Sequence, residues 1–275
     1  MQIQPVSKGQ GAIMEILIMT DLEGISGIDS IDQVQKTEDP GYGQVLELLM
    51  QDVNTAVRAA LDVGVERVYV VDGHGSGRNF IPGRLDPQAV QLRNPAWQEL
   101  ITRRQVAAYL EIGTHAMAGT RDAFLDHTQS SIRWFDYRIN NRSSGEIAQG
   151  AAFAGAFDIP FVMVSGDAAA CAEAIEFLGP VATAVVKQGV GRNKARLVDQ
   201  EVAQLRIREA VQAGLSNKDA IQPYRPGCPL ELQLTLCRSD YCDDVMARQP
   251  QAQRIDARTV RRRVDRINRY EDVLF

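Results

Sequence analysis

Three consecutive segments constrain this chain more than anything else in it. Residues 15–19 (EILIM) form a short apolar run. Residues 44–63 place Val45, Leu48, Leu49, Val53, Ala56, Val57, Ala60 and Leu61 at helical spacing and stop at Gly64, and residues 67–71 (RVYVV) are apolar again. A strand, an amphipathic helix and a second strand of these lengths make a βαβ unit with parallel strands. Residues 107–112, 161–165 and 181–187 read as further strands, with helices over 145–157 and 168–178. This alternation predicts an α/β fold with a mostly parallel sheet flanked by helices. The pattern changes near residue 190. A helix over 194–213, a Pro/Gly-rich stretch at 222–229, an alternating strand over 230–237 and an extended segment over 254–264 predict a smaller α+β C-terminal portion. The expected divisions are a polar N-terminal tail (1–14), an α/β domain (15–190) and a C-terminal α+β domain (191–275).

Composition narrows the partners. The 275 residues include 30 basic and 35 acidic side chains, for a net charge of −5, which argues against nucleic acid as the main partner. No apolar run approaches the ~18 residues of a membrane span, and the opening MQIQPVSKGQGAIM lacks the apolar centre of a signal peptide. No membrane partner is expected. Cys171, Cys228, Cys237 and Cys242 show no C-x-x-C spacing, so they are expected to be reduced thiols of a cytoplasmic protein.

The chemistry is concentrated at the ends of the strands. "IMTDLEGISG" (18–27) sets Asp21 and Glu23 one residue apart where the first strand ends. Thr20 to Glu23 has capping-box spacing, but Gly24, Ser26 and Gly27 suit a loop better than a helix. In an extended segment the two carboxylates share a side and repel unless a positive charge lies between them. Asp72 and His74 repeat this spacing after the second strand, and His115 follows the apolar run "AAYLEIGT". Open α/β sheets bind ligands outside the carboxyl ends of their strands, so these groups should meet. Glu146 opens the apolar helix after "NNRSSG", where a capping box from Ser143 is the structural alternative. Asp21, Glu23, His74, His115 and Glu146 form a nitrogen and oxygen donor set without thiolate, suited to zinc or a related transition metal. Five donors exceed the needs of one catalytic zinc, so two metals sharing a carboxylate are expected.

Two other motifs fail in "DGHGSGR". A dinucleotide-binding G-x-G-x-x-G starting at Gly73 meets Arg78 where glycine is required, and a nucleophile elbow around Ser76 meets His74 and Arg78.

In order along the chain stand Asp21–Gly27 (DLEGISG), Asp72-Gly73-His74-Gly75, Gly113-Thr114-His115-Ala116, Asp126-His127-Thr128, and 140–146 (NNRSSGE). Val164-Ser165-Gly166-Asp167 and Val185-Val186-Lys187-Gln188 follow them. In these motifs the sequence resembles the zinc-dependent D-aminopeptidases of the DppA type, peptidase family M55, from about Met14 to the C-terminus. The resemblance implies two zinc ions per chain held by Asp21, Glu23, His74, His115 and Glu146, with Asp21 bridging, and a catalytic role for His127 as base, acid or nucleophile. It also implies short peptide or aminoacyl-amide substrates, a preference for D-amino acids, and ring-like homo-oligomers, decamers among them. Tyr270 and Phe275 are candidate interface aromatics for such a ring. The chain departs from the family pattern at Gly73, Thr114, Asp126 and Ala168. Asp126 would stabilise a charged His127 if the two side chains converge. A metal-dependent hydrolase of non-peptide amides and a non-catalytic metal-binding protein are the competing classes.

Overall fold

The computed structural model describes residues 14–35 and 37–275; the expected polar tail lies outside the described residues apart from Met14. The chain runs through β1 (Glu15–Thr20), α1 (Ile31–Gln35), α2 (Tyr42–Asp62), β2 (Arg67–Asp72), β3 (Ala89–Leu92), α3 (Ala96–Thr102) and β4 (Ala108–Thr114). It continues with β5 (Trp134–Ile139), β6 (Arg142–Ser143), α4 (Glu146–Ala156), β7 (Phe161–Asp167), α5 (Ala168–Leu178), β8 (Ala182–Gly191), β9 (Lys194–Leu197) and α6 (Gln200–Ser216). The last elements are β10 (Leu230–Leu236), α7 (Ser239–Arg248), β11 (Gln253–Arg254) and β12 (Thr259–Val264).

The βαβ unit forms as expected, with β1 and β2 parallel. It belongs to a seven-stranded sheet in the order β3-β2-β1-β4-β7-β8-β9, parallel except for the last pair. From β1 the chain adds β2 and β3 on one side and then β4, β7 and β8 on the other. That reversal leaves a crevice between the carboxyl ends of β1 and β4, where ligands of such sheets bind.

Side chains alternate across the sheet and feed two cores. Ile16, Ile18, Val68, Val70, Leu110 and Ile112 face α2 and α6. Leu17, Tyr69, Val71, Tyr109, Phe161 and Val164 belong to a second core that reaches the inner face of the other sheet at Tyr137, Ile139, Leu232 and Leu234. Helix α4 takes part in this second core, and every residue from 147 to 155 is buried. This explains why the helix is apolar all round.

The second sheet is antiparallel, in the order β11-β12-β10-β5-β6. Its strands come from both sides of residue 190, while β9 and α6 belong with the parallel sheet. The two sheets are therefore not separated at that residue. The expected helix over 194–213 is corrected to β9 followed by α6. Residues 194–197 extend because they pair with β8, and Asp199 caps the helix by accepting from the Glu201 and Val202 amides. The extended segment over 254–264 is interrupted by a turn in which Asp256 accepts from the Arg258 and Thr259 amides. Tyr270 and Phe275 pack against the second core, with Tyr270 edge-on to Trp97 at 5.2 Å, so their apolar surface is used within the chain. Among the described residues no helix is long and apolar enough to cross a membrane.

Candidate metal centre

The acidic loop after β1 does not start a helix. Thr20 donates its hydroxyl to the Val71 carbonyl, and residues 21–27 turn back along the end of β4. The Asp21 amide donates to the Ile112 carbonyl at 2.9 Å, and the Gly24 amide donates to the Gly113 carbonyl at 2.7 Å. A β-carbon at Gly24 would lie 1.8 Å from the Thr114 carbonyl oxygen, and one at Gly113 would lie 2.4 Å from that of Asp21. The glycines of "DLEGISG" and "IGTH" are there because two backbones touch. The far side of the loop is fixed to α2, where buried Asp52 accepts from both the Ser26 amide and hydroxyl at 2.7 and 2.6 Å.

This apposition joins the predicted groups. Asp21 Oδ1 lies 3.0 Å from His74 Nδ1, and its other oxygen lies 3.3 Å from His115 Nε2. His74 Nδ1 is also 2.9 Å from Glu23 Oε2, and His115 Nε2 is 3.4 Å from Glu146 Oε1. A single imidazole nitrogen can donate only one proton, yet each of these two faces two carboxylates. Glu23 Oε2 is buried with no hydrogen-bond partner. His115 Nδ1 sits 3.0 Å from the Ala116 carbonyl. A carbonyl only accepts, so Nδ1 carries a proton, and Nε2 faces two anions with at most one N–H to offer them. The donor set thus fits cations better than it fits its own hydrogen bonds. The ligand atoms of Asp21, Glu23 and His74 lie within 4.8 Å of one another, as do those of His115, His127 and Glu146.

The protein's own charges show the same deficit. Burial pulls the His74 imidazole down, but the Asp21 and Glu23 carboxylates outweigh it and hold it at about 11. Burial likewise opposes charge on His115, yet Glu146, Asp21 and Glu23 raise it well above its ordinary value. Asp21 is driven below the usual carboxylate range because its histidine partners overcome its burial. Only positive charge beside the carboxylates makes so many of them tolerable in one buried place.

His127 stacks on His115, ring centres 3.9 Å apart and planes 12° from parallel. Its Nδ1 lies 2.8 Å from the Leu125 carbonyl and is therefore the protonated nitrogen of the neutral ring. Nε2 is left facing the site, 4.0 Å from Glu146 Oε1. Asp126 makes no direct contact with it, since that carboxylate accepts from the Gly119 amide at 2.7 Å and faces Arg192 at 3.5 Å, but the two groups remain within electrostatic reach of each other. Asp72 stays outside the donor set as well, since its oxygens accept from the Asn79 amide and side chain at 2.5 and 2.9 Å and so fix the loop carrying His74. The Ser143 capping box is absent. Gly145 is the N-cap of α4, and Ser143 donates to Asp136. Glu146 is thus free to turn toward His115.

The reading of the sequence gave no role to several buried charges, among them Asp52, Glu111 and Lys187, the last of which lay in one of its motifs. Lys187 on β8 is fully buried and donates to the Glu23 backbone carbonyl at 2.8 Å, bracing the loop from beneath. Burial pulls its ammonium down to about 7 against the pull of Asp167 and Asp52. Glu111 on β4 is buried beside the same crevice. The available signal for both was a charged residue inside an apolar strand.

The fold gathers these donors at the switch point of an α/β sheet, a set suited to metal-assisted hydrolysis. The family model of peptidase M55, D-aminopeptidase, matches residues 14–274, and the chain belongs to that family of peptidases. A D-aminopeptidase of Bacillus subtilis (strain 168) is 28% identical over 216 residues, 78% of each chain. The solved structure of a Zn-dependent D-aminopeptidase, DppA from Bacillus subtilis, described as a self-compartmentalizing protease, superposes with a TM-score of 0.87. It is 24% identical, with 95% of both chains covered.

The contact between the two loops is open to direct test. Gly24→Ala must part the backbones or strain them, at a cost of about 1–3 kcal/mol, and should lower Tm by roughly 3–10 °C. An unchanged melting curve would mean that the loops do not touch.

Proposed function

We propose that this protein is a zinc-dependent aminopeptidase that hydrolyses short peptides or aminoacyl amides, with a preference for D-amino acids. The observation that carries this reading is the Asp21 carboxylate, set with one oxygen toward His74 at 3.0 Å and the other toward His115 at 3.3 Å. Asp21, Glu23 and His74 would hold one zinc, and Asp21, His115 and Glu146 the second. Bound there, the pair would supply polarisation of the scissile carbonyl and activation of a water. The family's description supports the D-preference, and the name of the B. subtilis structure supports zinc.

The chain's own residues supply positioning and proton transfer. Lys187 and Asp52 fix the two sides of the acidic loop. The Gln129 amide donates to Glu146 Oε1 at 2.7 Å and holds that carboxylate toward His115. The Leu125 carbonyl orients the His127 ring so that in its neutral form Nε2 can take a proton or attack the substrate carbonyl. Its ligand atom lies within 4.8 Å of those of His115 and Glu146, but we assign it catalysis rather than metal binding because Asp21, Glu23, His74, His115 and Glu146 can complete the pair without it. The four cysteines are free thiols, in keeping with a cytoplasmic protein.

The division of roles predicts different variants. Asp21→Ala should lose both metal and activity. His127→Ala should keep the metal measured by elemental analysis and lose about 10²-fold or more in kcat. Equal metal loss in the two variants would contradict the assignment.

We also propose a homo-oligomer, on the support of the self-compartmentalizing relative and of exposed Ile132 and Phe135, close in sequence to His127. An enclosing assembly would limit an unhindered amide-cleaving site to short peptides. Light scattering should give a mass several times 30.3 kDa. A monomer active on short peptides would exclude the enclosure.

A further inference from the structure

Beside the donor set lies a cavity of about 410 Å³, within the usual range for small-ligand sites. Its walls include Met19, Val71, Trp97, Tyr109 and Tyr270. Asp21, Asp72, Glu111 and Glu146 line it, but both Asp72 oxygens are taken by Asn79, which leaves Glu111 as the carboxyl outside the donor set with capacity for a ligand. Glu111 has no part in the metal donor set. It stands on the inward face of β4, with Oε1 accepting from the Tyr109 hydroxyl at 2.9 Å. Helix α4 makes room for it. A β-carbon at Gly150 would lie 2.6 Å from Glu111 Oε1 and 3.0 Å from the Tyr109 hydroxyl. Glycine in mid-helix costs about 1 kcal/mol relative to alanine, so the helix is weakened where this carboxyl sits. Burial pushes the Glu111 carboxyl up to about 8, with Glu146 and Asp21 adding to the shift against the Tyr109 and Thr114 hydroxyls, so an ammonium seated beside it would draw it into the charged form with release of its proton.

Aromatic walls around a carboxyl are the chemistry of a cation site, combining charge pairing with attraction to the ring faces. The position of Glu111 identifies which cation. Glu146 and Gly150 are one turn apart on α4, about 6 Å of helix rise. The α-ammonium of a substrate is two bonds from its scissile carbonyl and must stay beside the metal donors. The four-carbon stem of a lysine spans about the length of that turn. Arg93, the basic residue bordering the cavity, is exposed, where solvent screens it.

We infer that this cavity receives the side chain of the substrate's first residue, and that the Glu111 carboxylate holds an ammonium at its end. The enzyme would then favour peptides beginning with a lysine-like residue over those beginning with an apolar residue of equal length. The inference rests on the aminopeptidase reading for the identity of the substrate, and its test does not depend on turnover.

The test is calorimetric titration of zinc-loaded protein with lysine and with norleucine, each in both hands. Lysine of the preferred hand should bind the wild type about tenfold or more tightly than norleucine. In Glu111→Gln that ratio should fall to about one while metal content equals that of the wild type. If Glu111→Gln does not fold, Glu111→Asp replaces it. Its charge is kept on a shorter arm, so the tightest binding should move to the homologue of lysine that is one methylene longer. Equal binding of lysine and norleucine to the wild type overturns the inference, as does a preference that survives in Glu111→Gln or a Glu111→Asp profile that still peaks at lysine. Selection of lysine through Glu111 in a protein that cleaves no aminoacyl amide would sustain the cation site and overturn the aminopeptidase reading.

Discussion

Two backbones touch at the carboxyl ends of β1 and β4, and the site depends on that contact. With no side chain at Gly24 or Gly113, the Gly24 amide comes within 2.7 Å of the Gly113 carbonyl. This brings Asp21 from one strand end between His74 and His115 from two others. Once the acidic loop lies there, the Leu22 amide donates to Asp21 Oδ1 at 2.8 Å, while Glu23 Oε2 is buried with no hydrogen-bond partner. The alternatives for balancing this charge are protonated histidines or bound cations. The surrounding structure holds the loop in this costly place. Asp52 ties it to α2, Lys187 braces it from β8, and the alternating packing of the sheet keeps β1 and β4 adjacent.

Much of this arrangement was legible in the sequence, for identifiable reasons. The βαβ unit showed because α2 is long and strongly periodic, and β1 and β2 are short apolar runs. Four of the five donors showed because Asp21, Glu23, His74 and His115 follow strands, and the switch-point rule collects strand ends in one crevice, whereas Glu146 opens a helix and had a capping role as its alternative. The second sheet was not legible. Strand β5 finds its partner in β10, about a hundred residues later, and neither run specifies the other locally. Residues 194–197 (KARL) have helix-forming composition and became a strand only through pairing with β8. The Ser143 capping pattern was present without its structure, because the hydroxyl went to Asp136.

Buried charge is the clearest gap between reading and structure. Lys187 and Glu111 each interrupt an apolar strand, and a strand pattern treats them as exceptions. In the fold neither is incidental. One supports the acidic loop from below, and the other faces the cavity that leads to it. A charged residue buried inside a parallel strand is costly unless something meets it, so such residues mark where to look for function.

The central proposal is that one carboxylate, Asp21, would serve two metals. Diffraction data collected at the zinc absorption edge from zinc-loaded crystals test it most directly. The account predicts two anomalous peaks about 3.5–4 Å apart, each within coordinating distance of a different Asp21 oxygen. A single peak, or a pair of which only one contacts Asp21, would contradict it.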